Sequence, residues 1–207
     1  MKIYKQTQIN ELAEILKRDG VISVPTDTVY GVCARMNSEK AHDNLVITKN
    51  RPKSKLFPIM CADEEQIKTI AIVDKRAEKL IKAFMPGPIT LILNKRPELP
   101  FYVNNGEKTI AVRMATSNVL KELIKKTESP LFMSSANQSG EPTCTTLDEI
   151  QKSCPTLDGM MEGKVSFGQS STIVDCTLEQ LKIVRLGPIS IEEIKKILIM
   201  EKVNEKV

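Results

Sequence analysis

Apolar residues recur along the chain with two periods that alternate. Ile9, Leu12, Ile15 and Leu16 lie three or four apart and predict a helix over 8–18, stopped by Gly20. Residues 21–24 read as a short buried strand cut by Pro25. Ser38 is placed to cap a helix running toward Ile47, and 56–61 reads as a strand that Pro58 confines to an edge or breaks. Two helical stretches, 63–72 and 74–84, end at Met85-Pro86-Gly87-Pro88. Strand-like runs then occupy 89–93 and 109–113, on either side of a polar loop. The spacing predicts helices over 117–126 and 146–153, with a short strand over 131–134 between them. The runs 172–175 and 181–185 read as strands. A closing helix is expected over 190–200, with Ser190 as its cap and Glu193 at the capping-box position. Strands and helices interleave from end to end, which predicts an α/β fold on a twisted mixed sheet. There is no repeat, low-complexity segment or Gly/Pro-rich linker, so residues 1–207 are expected to form a single domain with its core over about 9–197.

Composition narrows the class without naming a chemistry. With 41% hydrophobic and 27% charged residues, the chain has the make-up of a soluble globular protein. Its net charge of +4 suits an anionic ligand, and spare surface lysines would give the same number. The opening Met1-Lys2-Ile3-Tyr4-Lys5-Gln6 turns polar at once, and no apolar run approaches the roughly 20 residues that span a bilayer. A cytoplasmic protein is expected. Cys33, Cys61, Cys144, Cys154 and Cys176 form no C-x-x-C pair and read as reduced thiols. The single histidine, His42, excludes a multi-histidine zinc site, and its charged surroundings predict an exposed helix position.

Several polar clusters sit at the ends of strand-like runs, where ligands gather in α/β sheets. Pro25-Thr26-Asp27-Thr28-Val29-Tyr30-Gly31 offers hydroxyls and a carboxylate for a small polar pocket, or forms a turn that satisfies its own backbone. In Lys49-Asn50-Arg51-Pro52-Lys53-Ser54-Lys55, cations at alternate positions of a stiff extended segment would converge on a triphosphate; a solvated basic loop is the competing reading. Ser134-Ser135-Ala136-Asn137-Gln138-Ser139-Gly140 supplies small residues for close approach to phosphate or ribose. Neither G-x-x-x-x-G-K-[ST] nor G-x-G-x-x-G occurs, so any nucleotide is held by another device. Arg113, Asp175 and Arg185 each close a short apolar run.

Taken in order, these segments resemble the YrdC-like family, whose members are threonylcarbamoyl-AMP synthases. Pro25-Thr26-Asp27-Thr28-Val29-Tyr30-Gly31 matches the family's opening motif, Lys49-x-Arg51 its K-x-R pair and Ser135-x-Asn137 its S-x-N pair. Met85-Pro86-Gly87-Pro88-Ile89-Thr90, Ala111-Val112-Arg113 and Ser139-Gly140-Glu141-Pro142 are similar to further family segments. So are Ser171-Thr172-Ile173-Val174-Asp175 and Val184-Arg185-x-Gly187. The likeness runs from about Ile9 to Ile197 and looks like the short, stand-alone form. Three positions depart from the pattern: Ala115 stands where an Arg-x-Pro is usual, no histidine lies near Met60, and Leu186 replaces a proline.

The resemblance implies a large, basic, concave site on the sheet. The implied reaction takes L-threonine, bicarbonate and ATP to L-threonylcarbamoyladenylate and pyrophosphate, as the first step of threonylcarbamoyladenosine formation in tRNA. Lys49 and Arg51 would be the catalytic cations. L-threonine would be met by Thr28, Tyr30, Met60, Arg113, Met133 and Ser171. ATP would be met by Lys49, Arg51, Lys55, Thr109, Ser135, Asn137, Thr143 and Arg185. Magnesium would arrive on the triphosphate, held by ATP and water rather than a dedicated protein site. A tRNA threonylcarbamoyl transferase is the expected downstream partner, with direct tRNA contact also open. The alternatives are a non-catalytic module that binds tRNA or double-stranded RNA through the same basic surface, and a related carbamoyl-adenylate activity serving another acceptor.

Overall fold

The structure is a computed structural model that describes residues 1–52, 54–166 and 168–199. The first half runs β1 (Ile3–Tyr4), α1 (Ile9–Lys17), β2 (Ile22–Pro25), β3 (Tyr30–Arg35), α2 (Glu39–Lys49), β4 (Ile59–Cys61), α3 (Glu64–Ile70), β5 (Ala71–Ile72) and α4 (Lys75–Phe84). The second half runs β6 (Ile89–Lys95), α5 (Phe101–Asn104), β7 (Thr109–Met114), α6 (Asn118–Thr127), β8 (Leu131–Ser135), α7 (Leu147–Ser153), β9 (Gly159–Met161), β10 (Thr172–Asp175), β11 (Lys182–Arg185) and α8 (Ile191–Ile199).

The described strands form one mixed sheet, ordered β1-β9-β2-β3-β8-β4-β7-β6-β10-β11, with β5 on the end of β6. β4 lies parallel to β7 and β10 parallel to β6, whereas β3–β8, β4–β8 and β6–β7 are antiparallel. Helix starts follow the sequence. Ser38, Asp63, Asp74 and Ser117 each accept a backbone N–H of the first turn, and Thr146 with Glu149 closes a full capping box on α7. Glu193 likewise accepts from the Ser190 amide at 2.8 Å while its own amide donates to Ser190 Oγ at 3.2 Å.

The alternation of side chains along the strands divides the sheet into two faces. On one, Ile110 and Val112 of β7, Ile89 and Leu91 of β6 and Val174 of β10 join Leu45, Leu80, Ile81 and Ile194 in the larger core. On the other, α1 and α6 cover β2, β3, β8 and β4 through Leu12, Leu16, Leu120 and Leu123. That second cover does not extend over β7, β6 and β10, whose residues on this face line the cavity described below.

Several local expectations change. The strand expected over 21–24 runs on through Pro25, which pairs with Tyr30 across a tight antiparallel connection. β3 has no alternation to betray it, because Tyr30–Ala34 are buried on both faces. The helix expected over 63–72 ends at Ile70, and Ala71–Ile72 turns to pair with Asn94 and Lys95. The strand expected over 56–61 is only Ile59–Cys61. β1, β9 and α5 are too short to carry a periodic signal. His42 is not exposed: its side chain is 12% accessible and its ring lies 5.1 Å from Phe132 and 5.8 Å from Phe57. Met200, the end of the expected closing helix, and Lys53 lie outside the described residues.

Candidate functional site

A cavity of about 430 Å³ occupies the uncovered part of the second face. Its floor is set by strand register: Thr109, Ala111 and Arg113 of β7 face it at every second position, beside Thr90 and Ile92 of β6 and Ile173 of β10, with Ser171 just ahead of that strand. Polar groups gather at one end of these strands, with Thr90, Arg113 and Ser171. Apolar ones lie further along, where Ile92 pairs with Ala111. The rim carries Arg51, Ser135 and Arg185. Three arginines and no aspartate or glutamate are found among its described lining residues. That arrangement favours an anionic occupant.

Arg113 is the best-anchored of these cations. Its Nη1 donates to Thr28 Oγ1 at 2.8 Å, its Nη2 pairs with Asp27 Oδ1, and its Nε donates to the Gly87 carbonyl at 3.3 Å. Thr28 is in turn 3.0 Å from Thr26 Oγ1, so the 25–31 turn is tied to the sheet through hydroxyls. Burial pushes the Arg113 guanidinium down from its ordinary value, and the Asp27 carboxylate opposes that shift. Three of the five guanidinium N–H groups are engaged, leaving two for a ligand. At the same end Thr90 Oγ1 lies 2.8 Å from Ser171 Oγ, and Arg185 Nε donates to the Ser171 carbonyl at 3.0 Å.

The K-x-R pair is not an extended segment. Lys49 is the last residue of α2, Asn50 takes the left-handed conformation at φ 43°, and Arg51 leaves in another direction. Lys49 is buried at 1% exposure, and its ammonium donates to the backbone carbonyls of Ser135 and Asn137. Desolvation holds its pKa down to about 8, opposed by the neighbouring Cys154 and reinforced by Arg51. The lysine therefore fixes the loop after β8 rather than facing the cavity. Arg51 lines the cavity, donates to the carbonyls of Lys55 at 2.8 Å and Leu56 at 2.7 Å, and stacks 4.8 Å over Phe57.

The remaining sequence candidates divide by place. Thr28, Met60, Met133, Ser135, Thr109, Ser171 and Arg185 line the cavity together with Arg51 and Arg113. Tyr30 does not: it is buried and its hydroxyl donates to the Gly163 carbonyl at 2.6 Å. Asn137 is buried behind the wall, where its Oδ1 accepts from Ser135 Oγ at 2.5 Å and its Nδ2 donates to the carbonyls of Gln138 and Glu141. Lys55 is exposed and Thr143 half-buried, and neither lines the cavity. Sequence reasoning passed over Asp27 and Thr90 as site residues, and Asn104 altogether. Asp27 and Thr90 stood within quoted motifs, but their contacts to Arg113 and Ser171 join positions 86 and 81 residues apart. Among the described residues no group of His, Cys, Asp and Glu could hold a metal ion, and no helix is long and apolar enough to cross a membrane.

Comparison with known proteins places these features in a lineage. Residues 14–187 match the Sua5/YciO/YrdC family model, described as "Telomere recombination". The chain is 32% identical over 201 residues to the threonylcarbamoyl-AMP synthase of Pyrococcus abyssi, covering 94% of this chain and 58% of that protein. It is 30% identical over 166 residues to the threonylcarbamoyl-AMP synthase of Yersinia enterocolitica, covering 76% of this chain and 87% of that one. The crystal structure of Pyrococcus abyssi Sua5 complexed with L-threonine superposes with a TM-score of 0.90 at 30% identity, over 96% of this chain and 61% of that one. The chain thus spans somewhat over half the length of its Pyrococcus relative.

Proposed function

Because the chain belongs to the Sua5/YciO/YrdC family, we propose that it joins L-threonine, bicarbonate and ATP into threonylcarbamoyl-AMP, releasing pyrophosphate. The observation that carries this reading is the cavity itself, with three arginines, no opposing carboxylate in its wall, and a hydroxyl-lined end small enough for an amino acid. The two uncommitted N–H groups of Arg113 take the threonine carboxylate as a fork, beside Thr28 and Ser171, with Met60 and Met133 packing against the side chain. Arg51, Arg185 and Ser135 meet the phosphates. Lys49 and Asn137 act at one remove, by holding the 135–137 backbone in place. Thr109 meets the nucleotide from the floor, Lys55 and Thr143 stand outside the cavity wall and reach it only if their segments move toward the bound nucleotide, and Tyr30 supports the turn that carries Thr28.

The chemistry asks little more of the protein. The threonine amine adds to the carbon of bicarbonate-derived carbon dioxide and gives up a proton, forming a carbamate. A carbamate oxygen then attacks the α-phosphorus, the bond from that phosphorus to the bridging oxygen breaks, and pyrophosphate leaves with the electron pair. No side chain becomes covalent, so orientation and charge neutralisation by the arginines supply the catalysis. Magnesium enters on the triphosphate, bound by phosphate oxygens and water. The product then passes, in the cytoplasm, to a transferase that modifies tRNA.

The test is pyrophosphate release from ATP with bicarbonate, with and without L-threonine, using serine and valine as controls. Release that requires both threonine and bicarbonate is the expected result. Folded protein that releases none under these conditions overturns the reading.

A further inference from the structure

At the far end of the cavity from Arg113, one polar group has no partner. Asn104 closes α5 and is 2% exposed, yet it lines the cavity. Its Nδ2 donates to the carbonyls of Glu107 at 2.7 Å and Thr109 at 2.8 Å, which commits both amide hydrogens. Turning the amide round would set its oxygen against two carbonyl oxygens, so the orientation is fixed. Oδ1 is left as a buried acceptor with no donor. A buried polar atom in that state is costly unless a ligand completes it. The wall toward it is apolar, with Ile92 and Ala111 paired across β6 and β7 and facing the same space, two residues along β7 from Thr109. Thr109 lies about 13 Å along β7 from Arg113, at roughly 3.3 Å per residue, which leaves room for a ribose and phosphates between the two ends.

We propose that Asn104 selects the nucleobase: its side-chain oxygen accepts from the exocyclic 6-amino group of adenine, whose ring lies on the Ile92–Ala111 surface. This rests on the reading of the cavity as an ATP site. It adds a specificity residue that the sequence pattern did not single out. A purine without the 6-amino group leaves Oδ1 unpaired, and a 6-oxo purine sets an acceptor against it.

The experiment measures binding of ATP and of purine riboside triphosphate, which carries hydrogen in place of the amino group, to the wild-type protein and to Asn104→Ala. The wild type binds ATP about tenfold more tightly than the analogue. In Asn104→Ala, ATP affinity falls and analogue affinity does not, so the ratio approaches one. A loop disturbance alone would weaken both nucleotides together and keep the ratio, and that result overturns the proposal. Because Asn104 also ties the 104–109 loop, the wild-type comparison stands by itself: equal affinity for the two nucleotides overturns the assignment of Asn104 while leaving the ATP site intact. If neither nucleotide binds folded wild-type protein, the ATP reading falls and this inference with it.

Discussion

Arg113 Nη1 donates to Thr28 Oγ1 at 2.8 Å, joining the middle of the sheet to a turn 85 residues earlier in the chain. The contact builds one end of the cavity from two distant segments, and Asp27 neutralises the guanidinium from the far side. Arg113→Ala removes the fork and strands the Asp27 carboxylate. L-threonine affinity is expected to fall about a hundredfold, while ATP affinity changes no more than about threefold. Separate titrations with each substrate check this, and equal losses for both would show that the cavity is not divided in this way.

Lys49 presents the opposite case, a buried cation with two backbone partners. Lys49→Met leaves the carbonyls of Ser135 and Asn137 without their donor, and the expected loss is about 2 kcal/mol in denaturant unfolding. ATP binding weakens with it, because Ser135 is carried on that loop.

The same lysine gives a pH dependence of definite sign. Its folded pKa is lowered to about 8 from 10.5 by burial, so between those values the unfolded chain holds a proton that the folded one has shed. Stability contributed at Lys49 therefore rises from about pH 8 to about pH 10.5. Wild type should gain on Lys49→Met between pH 7.5 and pH 9.5 in paired urea melts. A gap that is flat or narrows over this range would mean that the ammonium is not desolvated.

Met133 and Gly31 are coupled across β3 and β8. A Cβ at Gly31 would lie 2.3 Å from Met133 Sδ, so Gly31→Ala drives the methionine into the cavity it lines. Threonine affinity is expected to drop about tenfold, and the added change Met133→Ala should restore most of it at a further stability cost of about 2 kcal/mol. Unchanged affinity in Gly31→Ala would place the displaced side chain away from the threonine end.

What the sequence made legible follows from how each element is specified. Helices announced themselves through apolar spacing and, at Ser38 and Ser190, through caps that act locally, and strands β6 and β7 through apolar runs. β3 escaped because burial on both faces erases the alternation, and β1 and β9 because a two- or three-residue pairing is decided by its distant partner. The site behaves in the same way. Arg113, Arg51 and Ser171 were readable as motif residues, but which face each would join depended on register across β4, β7 and β6. Lys49 was misplaced for a local reason: the left-handed Asn50 turns it away from Arg51. Asn104 gave no signal, since its meaning lies in two carbonyls that its own loop supplies and an oxygen that they leave unsatisfied.

Gly187, two residues past β11, lies tight against the backbone that leads into β10. A Cβ there would lie 2.4 Å from the Ser170 carbonyl oxygen and 2.5 Å from the Thr172 amide nitrogen, both backbone atoms that no rotamer change can move. The Gly187 amide also donates to Thr172 Oγ1 at 3.0 Å, so the approach is held as well as permitted. Gly187→Ala must push the two segments apart, at an expected cost of about 3 kcal/mol in unfolding free energy. The displacement begins two residues from Arg185, whose Nε holds the Ser171 carbonyl. Both ends of ligand binding should therefore suffer: threonine through Ser171 and the phosphates through Arg185. Urea melts and separate titrations of the two substrates check this together. A variant of full stability with either affinity intact would show that β11 can shift without carrying Arg185 away from the cavity.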